Sequence, residues 1–497
     1  MSGAFGLALV VATGIALMTT GLPAFLVILA MATMGAAAAT LAGAVDPAIF
    51  GALPNRVISL LESDLLQALP LYVLMGTLLN RLPLASALFR TAVSLAPASR
   101  AAPAMAAIGL GALLGPMNGS VGASVMVLAR VLAPRLAASG VPGPLAGALV
   151  AAASTLGVVI PPSLVLILLG EAMMAAHTLA ANATGMSVRI VNTQDIFRGA
   201  LVPAAAFVAL SLVASWWSAR RGAPPAERAG GDADSRPSAI DIALSMATSV
   251  FVVGLLAGVA AGWFYAVEAA SMGAMTLLAA AAAGGRLSGG ALGEILREAI
   301  AATGALFALL VAATTLTLLL RALGTDRLAA ELLAALPGGP AIATLVVLAI
   351  VAACALVLDA FEIVFVVLPI VAPPLLQRAP DAVWVAVLLL LVLQASFMAP
   401  PFGYALALVR GAMEEAGPPR ALHAAMVPFL AAQAVVVAAV LAFPQSVHWT
   451  APRGAEALSV APRLGDEDVA RRFRELSAPV EEGDDAQPAP VFVAPSR

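Results

Sequence analysis

Two short stretches set adjacent prolines inside runs apolar enough to cross a bilayer. STLGVVIPPSLVLILLG, 154–170, carries Pro161, Pro162 and Ser163, and QASFMAPPFGYALALVRG, 394–411, carries Pro400, Pro401 and Gly403. Proline lacks a backbone N–H and clashes with the preceding turn, so each pair predicts a broken helix. Hydrocarbon cannot satisfy the N–H and C=O groups that a break frees, so such a segment persists where it lines a cavity or coordinates something. Carbonyls at the end of one half-helix suit a cation, and the N-terminus of the next half-helix suits an anion. The chemistry expected is therefore binding rather than bond-making. The competing reading is a proline kink that serves packing alone.

Upstream of each break lies a second unusual stretch: GPMNGSVGASVMVLARVLAP, 115–134, and LDAFEIVFVVLPIVAP, 358–373. Asn118, Gly119, Ser120, Gly122 and Ser124 bring small polar residues into an apolar region, either to bind or to let helices pack closely. Asp359 and Glu362 stand three apart, hence on one helix face, and acids at this depth need a partner, water or substrate. Their alternative role is to cap the first turn of a short helix.

The elements that must position these residues follow from composition. The chain has 497 residues, 62% hydrophobic and 11% charged, with a mean hydropathy of +1.01, which predicts an all-α polytopic membrane protein. Apolar windows near 4–20, 22–44, 67–80, 101–116, 145–160, 197–217, 239–262, 267–283, 298–320, 341–358, 383–399 and 421–443 predict about 11–12 crossings. The first two are read as retained helices, since no basic region precedes them. Segments 56–66 and 321–336 mix charge with helical-period leucines and suit helices lying in the interface or packed across the bundle. A polar stretch, 218–239, reads as a linker, and Arg220, Arg221, Arg228 and Arg236 place it on the cytoplasmic side. From about Ala451 the chain turns polar and reads as a largely disordered tail.

Other chemistries are poorly served. All basic residues are arginine, the net charge is −3, and no basic face for nucleic acid is found. Cys354 stands alone, and His177, His423 and His448 lie far apart, so neither a disulfide nor a Cys/His metal site is expected. No Ser/His, Asp/Asp or His cluster suits an intramembrane enzyme, and the polar residues gather in two central patches rather than along a pore.

A shift of 239 residues superimposes Pro134 on Pro373, Pro161 on Pro400 and Pro162 on Pro401, with Ala133 and Leu136 on Ala372 and Leu375. The chain therefore reads as two repeats, 1–217 and 240–447, followed by the tail 448–497. Each repeat is expected to hold a hairpin, about 116–139 and 357–378, and a broken helix, about 145–176 and 383–412.

These residues carry a resemblance. LPLYVLMGTLLNR (69–81), NGSVGAS, VVIPPSLVLILLGE, DIFRGALVPAA (195–205), WFYAVEAASMGA (263–274), LDAFEIVFVVLPIVAP and QASFMAPPFGYALALVRG together resemble the large membrane subunit of tripartite ATP-independent periplasmic (TRAP) transporters, most of all its mannitol/chloroaromatic branch. The resemblance implies a secondary transporter in the bacterial inner membrane that takes up carboxylate solutes on a sodium gradient. It also implies two partners, a periplasmic solute-binding protein and a small four-helix membrane subunit, and no cofactor beyond Na+ as coupling ion. The repeats would be inverted, each with a re-entrant hairpin, and a transport domain would move past a scaffold as an elevator.

Carried onto this chain, the first ion and substrate site is formed by Asn118, Gly119, Ser120, Gly122 and Ser124 with Gly157, Val158, Pro161, Pro162 and Ser163. The second uses Asp359, Glu362, Gln394, Ser396, Ala399, Pro400, Pro401 and Gly403, and the sodium ligands are mainly backbone carbonyls near Ser120, Gly157, Asp359 and Ala399. The chain departs from the family in GSVGAS, where a glycine-serine-serine run is usual, and in Tyr265-Ala266-Val267-Glu268, which keeps only the acid of proline-threonine-glutamate. Loop 177–194 is longer than expected. Arg410 is the best candidate in this stretch for the countercharge of a carboxylate, although an interfacial arginine reaching for water is the favoured reading of it. Gln394 and Ser396 either donate to the same ligand or cap the break. A carboxylate symporter that works without a binding protein is the alternative, and Asp359 and Glu362 leave proton coupling open.

Overall fold

The structure is a computed structural model and describes residues 2–82, 84–95, 99–117, 120–185, 190–221, 238–285, 287–356 and 358–450. Asn118, Gly119, the linker interior 222–237 and the tail from 451 lie outside the described residues.

Every regular element among the described residues is helical. The first half comprises α1 (Ser2–Thr20), α2 (Ala24–Leu41), α3 (Leu53–Leu61), α4 (Asp64–Arg81), α5 (Leu84–Leu95), α6 (Ala102–Leu114), α7 (Val121–Ala138), α8 (Gly143–Val159), α9 (Leu164–Thr184) and α10 (Thr193–Arg221). The second comprises α11 (Ala239–Ala261), α12 (Ala266–Ala283), α13 (Gly289–Ala322), α14 (Thr325–Ala334), α15 (Gly339–Ala355), α16 (Ala360–Arg378, with a π turn at Ile363–Val367), α17 (Ala382–Met398), α18 (Tyr404–Ala412) and α19 (Pro419–Ala442).

Ten of these helices are long and apolar enough to cross a membrane, or eleven if the bent pair that includes α3 and α4 is one span. The expected crossings at 101–116, 145–160, 341–358 and 383–399 are of another kind. They are the apolar helices Ala102–Met117, Gly143–Val159, Gly339–Ala355 and Ala382–Met398, each of 17 residues or fewer. At 1.5 Å per residue such a helix reaches about 25 Å, short of about 30 Å of hydrocarbon. Two of them, α6 and α15, are the first arms of the hairpins, and α8 and α17 are the first halves of the broken helices.

The repeat extends through the described helices of both halves. Adding 239 to the bounds of α8, 143–159, gives 382–398, the bounds of α17, and adding it to 121–138 gives 360–377 against 360–378 for α16. Packing is reciprocal: α2 lies on α13 while α4 lies on α12, α1 on α14 while α5 lies on α11, and α7 on α18 while α16 lies on α9. Equivalent helices also meet each other, α8 with α17 and α10 with α19, which is the pattern a pseudo-twofold relation produces.

Three readings of the sequence are corrected. Residues 177–194 are not one loop, because α9 continues to Thr184 and ends on Gly185, whose φ of 63° lets the chain leave the helix. The span expected at 298–320 is the 34-residue α13, whose first turns carry Glu294, Arg297 and Glu298 and therefore escape a hydropathy window. Helix α5 was not expected at all, being only 12 residues long.

Candidate functional site

The first break is built by its prolines. Ile160, constrained by the following ring, is extended at φ −84° and ψ 116°, and the Pro161–Pro162 bond is cis. Ser163 then caps α9: its Oγ accepts from the Leu166 N–H at 3.1 Å and donates to the Val158 carbonyl at 3.1 Å, tying the two half-helices together.

The first hairpin brings its tip to this break. Ser120 caps α7 by accepting from the Ala123 N–H at 3.1 Å, beyond a 3-10 turn at Gly115–Met117. Gly115 and Gly157 touch backbone to backbone, since a Cβ built on Gly157 would stand 2.3 Å from the Gly115 carbonyl oxygen. Between them lies a cavity of about 10 Å3, lined by Gly115, Ser120, Ser124, Ser154, Gly157 and Val158 among others. That is about the room one water-sized occupant needs. Its polar lining among the described residues consists of hydroxyls and backbone, with no charged side chain. Four expected residues, Ser120, Ser124, Gly157 and Val158, thus converge. Gly122 does not join them; it faces Tyr404, whose hydroxyl would be 3.3 Å from a Cβ there. Ser154, missed in the sequence, is fully buried, and its hydroxyl donates to the Val150 carbonyl at 2.7 Å while keeping lone pairs to give.

The second break repeats the design with different side chains. Ala399 is extended at φ −77° and ψ 121°, Pro400–Pro401 is cis, and the Gly403 N–H donates to the Ala399 carbonyl at 2.8 Å. Only glycine fits at 403, where a Cβ would stand 2.6 Å from the Phe397 carbonyl oxygen. Ser396 donates to the Val392 carbonyl at 2.8 Å. Gln394 is fully buried, and neither of its amide atoms has a partner among the described residues. The second arm of the second hairpin begins after Asp359, whose N–H donates to Glu362 Oε2 at 3.2 Å, while Asp359 Oδ1 is buried without a partner among the described residues. Capping therefore occupies Glu362 and leaves an oxygen of Asp359 unused. Tyr404, in the first turn of α18, meets the first hairpin at Gly122.

A second cavity, about 400 Å3, joins the halves. Ser120 and Ala123 line it from the first hairpin, Leu164 from the first break and Phe361 from the second hairpin, with Val73, Gly76 and Thr77 of α4 and Glu298 and Ala302 of α13 opposite. Its size is that of a small-molecule site. Ser120 and Leu164 line both cavities, so the ion-sized space and the solute-sized space share a wall. Arg410 is exposed at the end of α18 and does not line this cavity. Glu268, kept where the family has its proline-threonine-glutamate, accepts from the Tyr265 N–H at 2.8 Å and caps α12.

The fold has a solved counterpart. The transporter YdaH of Alcanivorax borkumensis, whose crystal structure revealed an unusual topology, matches with a TM-score of 0.58 at 14% identity, covering 81% of this chain and 89% of that one. Among characterised sequences, the C4-dicarboxylate TRAP transporter large permease protein DctM of Rhodobacter capsulatus is 24% identical over 263 residues. Those are 52% of this chain and 57% of that relative, so the match spans little more than half of its length. The 2,3-diketo-L-gulonate TRAP transporter large permease protein YiaN of Escherichia coli strain K12 is 20% identical over 351 residues, 70% of this chain and 78% of that one. Residues 6–446 match the family model of the DctM component of the tripartite ATP-independent periplasmic transporters, and the chain, a multi-pass membrane protein and not an enzyme, belongs to that family.

Proposed function

We propose that this chain is the permease through which a carboxylate solute enters the cell across the inner membrane on a sodium gradient, after delivery by a periplasmic solute-binding protein and alongside a small four-helix membrane subunit. The observation that carries this reading is the shared wall: Ser120 and Leu164 border both the ion-sized and the solute-sized cavity. A cation held by the carbonyls and hydroxyls around Gly157 would pin the first hairpin against the first break and so shape the solute cavity. Binding energy for the ion is thereby linked to binding energy for the solute. The solute class rests on the relatives, both named for transport of carboxylates. Reciprocal packing of the halves suits inverted repeats, with α2, α4, α12 and α13 as scaffold and the hairpins and broken helices as the moving part.

Uptake of labelled carboxylates into proteoliposomes holding this chain and its small subunit tests the reading. Uptake that needs both an inward sodium gradient and the binding protein is expected. Uptake that proceeds without the binding protein would assign the chain to stand-alone symport, and uptake that follows a proton gradient in sodium-free buffer would move the coupling to Asp359 and Glu362.

A further inference from the structure

Beside Glu298, in the wall of the 400 Å3 cavity, lies a charge arrangement that the ion site does not use. On α4 Val73 and Thr77 line the wall, and Arg81 is the next residue in that four-residue spacing, on the same face one turn further along the helix. On α13 the wall residues Glu298 and Ala302 continue to Glu294 by the same spacing. Arg81 Nη1 stands 2.9 Å from Glu294 Oε2 and its Nη2 3.3 Å from Glu298 Oε2. Glu298 is the one charged residue lining the cavity among the described residues, and Arg81 holds that charge in check.

We infer that Arg81 is the residue that receives the solute carboxylate beside the cavity, with Glu294 and Glu298 as stand-ins that the solute displaces. This rests on the carboxylate reading above. A guanidinium fork presents paired donors that match a carboxylate, so a solute carboxylate replaces a glutamate carboxylate like for like. The exchange is easy because the pairs are weak: the side chains of Arg81, Glu294 and Glu298 are 46%, 64% and 55% exposed, and exposed pairs contribute little. Without Arg81 the same approach would drive an anion toward an uncompensated Glu298. The arginine therefore selects for acids over neutral solutes of the same size.

The test compares uptake kinetics for labelled succinate, malate and pyruvate in proteoliposomes holding the complete transporter. Arg81→Gln is expected to raise KM at least tenfold, and Arg81→Lys to raise it less. Glu298→Gln and the double variant Glu294→Gln/Glu298→Gln, which remove the competitors, are expected to lower KM two- to fivefold. The opposite signs matter, because a merely structural bridge is broken equally from either side. A double acid variant whose KM rises as in Arg81→Gln, or an Arg81→Gln protein with wild-type KM, would overturn the assignment. Should Arg81→Gln fail to reach the membrane, the acid variants still decide the sign. Wild-type transport of neutral or cationic solutes but no carboxylate would instead overturn the functional reading, and this inference with it.

Discussion

Gly157 lies so close to Gly115 that a Cβ at 157 would stand 2.3 Å from the Gly115 carbonyl oxygen. The contact is backbone on backbone, so no side chain can swing away to relieve an added methyl. Two features of the fold meet there, the turn of the first hairpin and the last turn of α8, and the ion-sized cavity is walled by both. Gly157→Ala is accordingly expected to push the hairpin off the break, lowering stability by about 1–3 kcal/mol, the usual range for overpacking. Sodium-dependent uptake should fall more than tenfold. Thermal unfolding in detergent and uptake in proteoliposomes read the two effects, and a variant with normal sodium affinity would show that the cavity is not an ion site.

Ser163 gives a milder perturbation of the same break. Its hydroxyl caps α9 and donates to the carbonyl of Val158, a residue that lines the ion-sized cavity. Ser163→Ala is expected to cost about 1 kcal/mol as a lost cap, and the freed Val158 carbonyl should change the sodium dependence of uptake. Ser163→Thr keeps both bonds and is expected to restore both readouts. Loss of stability with unchanged sodium dependence would reduce Ser163 to a cap.

The breaks, the repeat and the family were legible because their signals are local: apolar windows announce their helices, and Pro161–Pro162 and Pro400–Pro401 end theirs, whereas the adjacent Pro373 and Pro374 are carried inside α16. The bounds of α8 and α17 follow from Pro161 and Pro400 almost to the residue. What stayed hidden depends on distance in sequence. Nothing near Gly157 marks its contact with Gly115, and Ser154 reads as an ordinary helical serine bonded to its own backbone. Arg81 finds Glu294 213 residues away, on helical turns too polar for a hydropathy window. Arg410 stood out for its charge beside the second break, yet it does not line the solute-sized cavity, whereas Arg81 pairs with Glu298, which does.

Asp359 and Glu362 separate capping from function. Glu362 accepts the Asp359 N–H, a bond a glutamine oxygen makes as well, so Glu362→Gln is expected to retain at least a third of wild-type uptake. Asp359 has a buried Oδ1 with no partner among the described residues, which is the feature a ligand or coupling ion would use. Asparagine is as good an N-cap as aspartate, so Asp359→Asn should insert and fold normally yet lose more than nine-tenths of its uptake. Wild-type uptake by Asp359→Asn would end its assignment to the site.

Gln394 offers a test in which stability and activity move in opposite directions. It occupies the position of Thr155 in the first half, 239 residues earlier, but whereas Thr155 donates to the Ala152 carbonyl at 2.9 Å, both amide atoms of Gln394 are buried and unpartnered. A buried polar group without a partner costs about 1–3 kcal/mol, a cost that leucine of similar volume would remove. Gln394→Leu is therefore expected to unfold at higher temperature than the wild type in the absence of solute. If the amide serves a ligand at the second break, the same variant should lose at least tenfold in uptake, and added solute should no longer raise its unfolding temperature. A more stable variant with full uptake and a full solute response would mean that the amide serves no ligand.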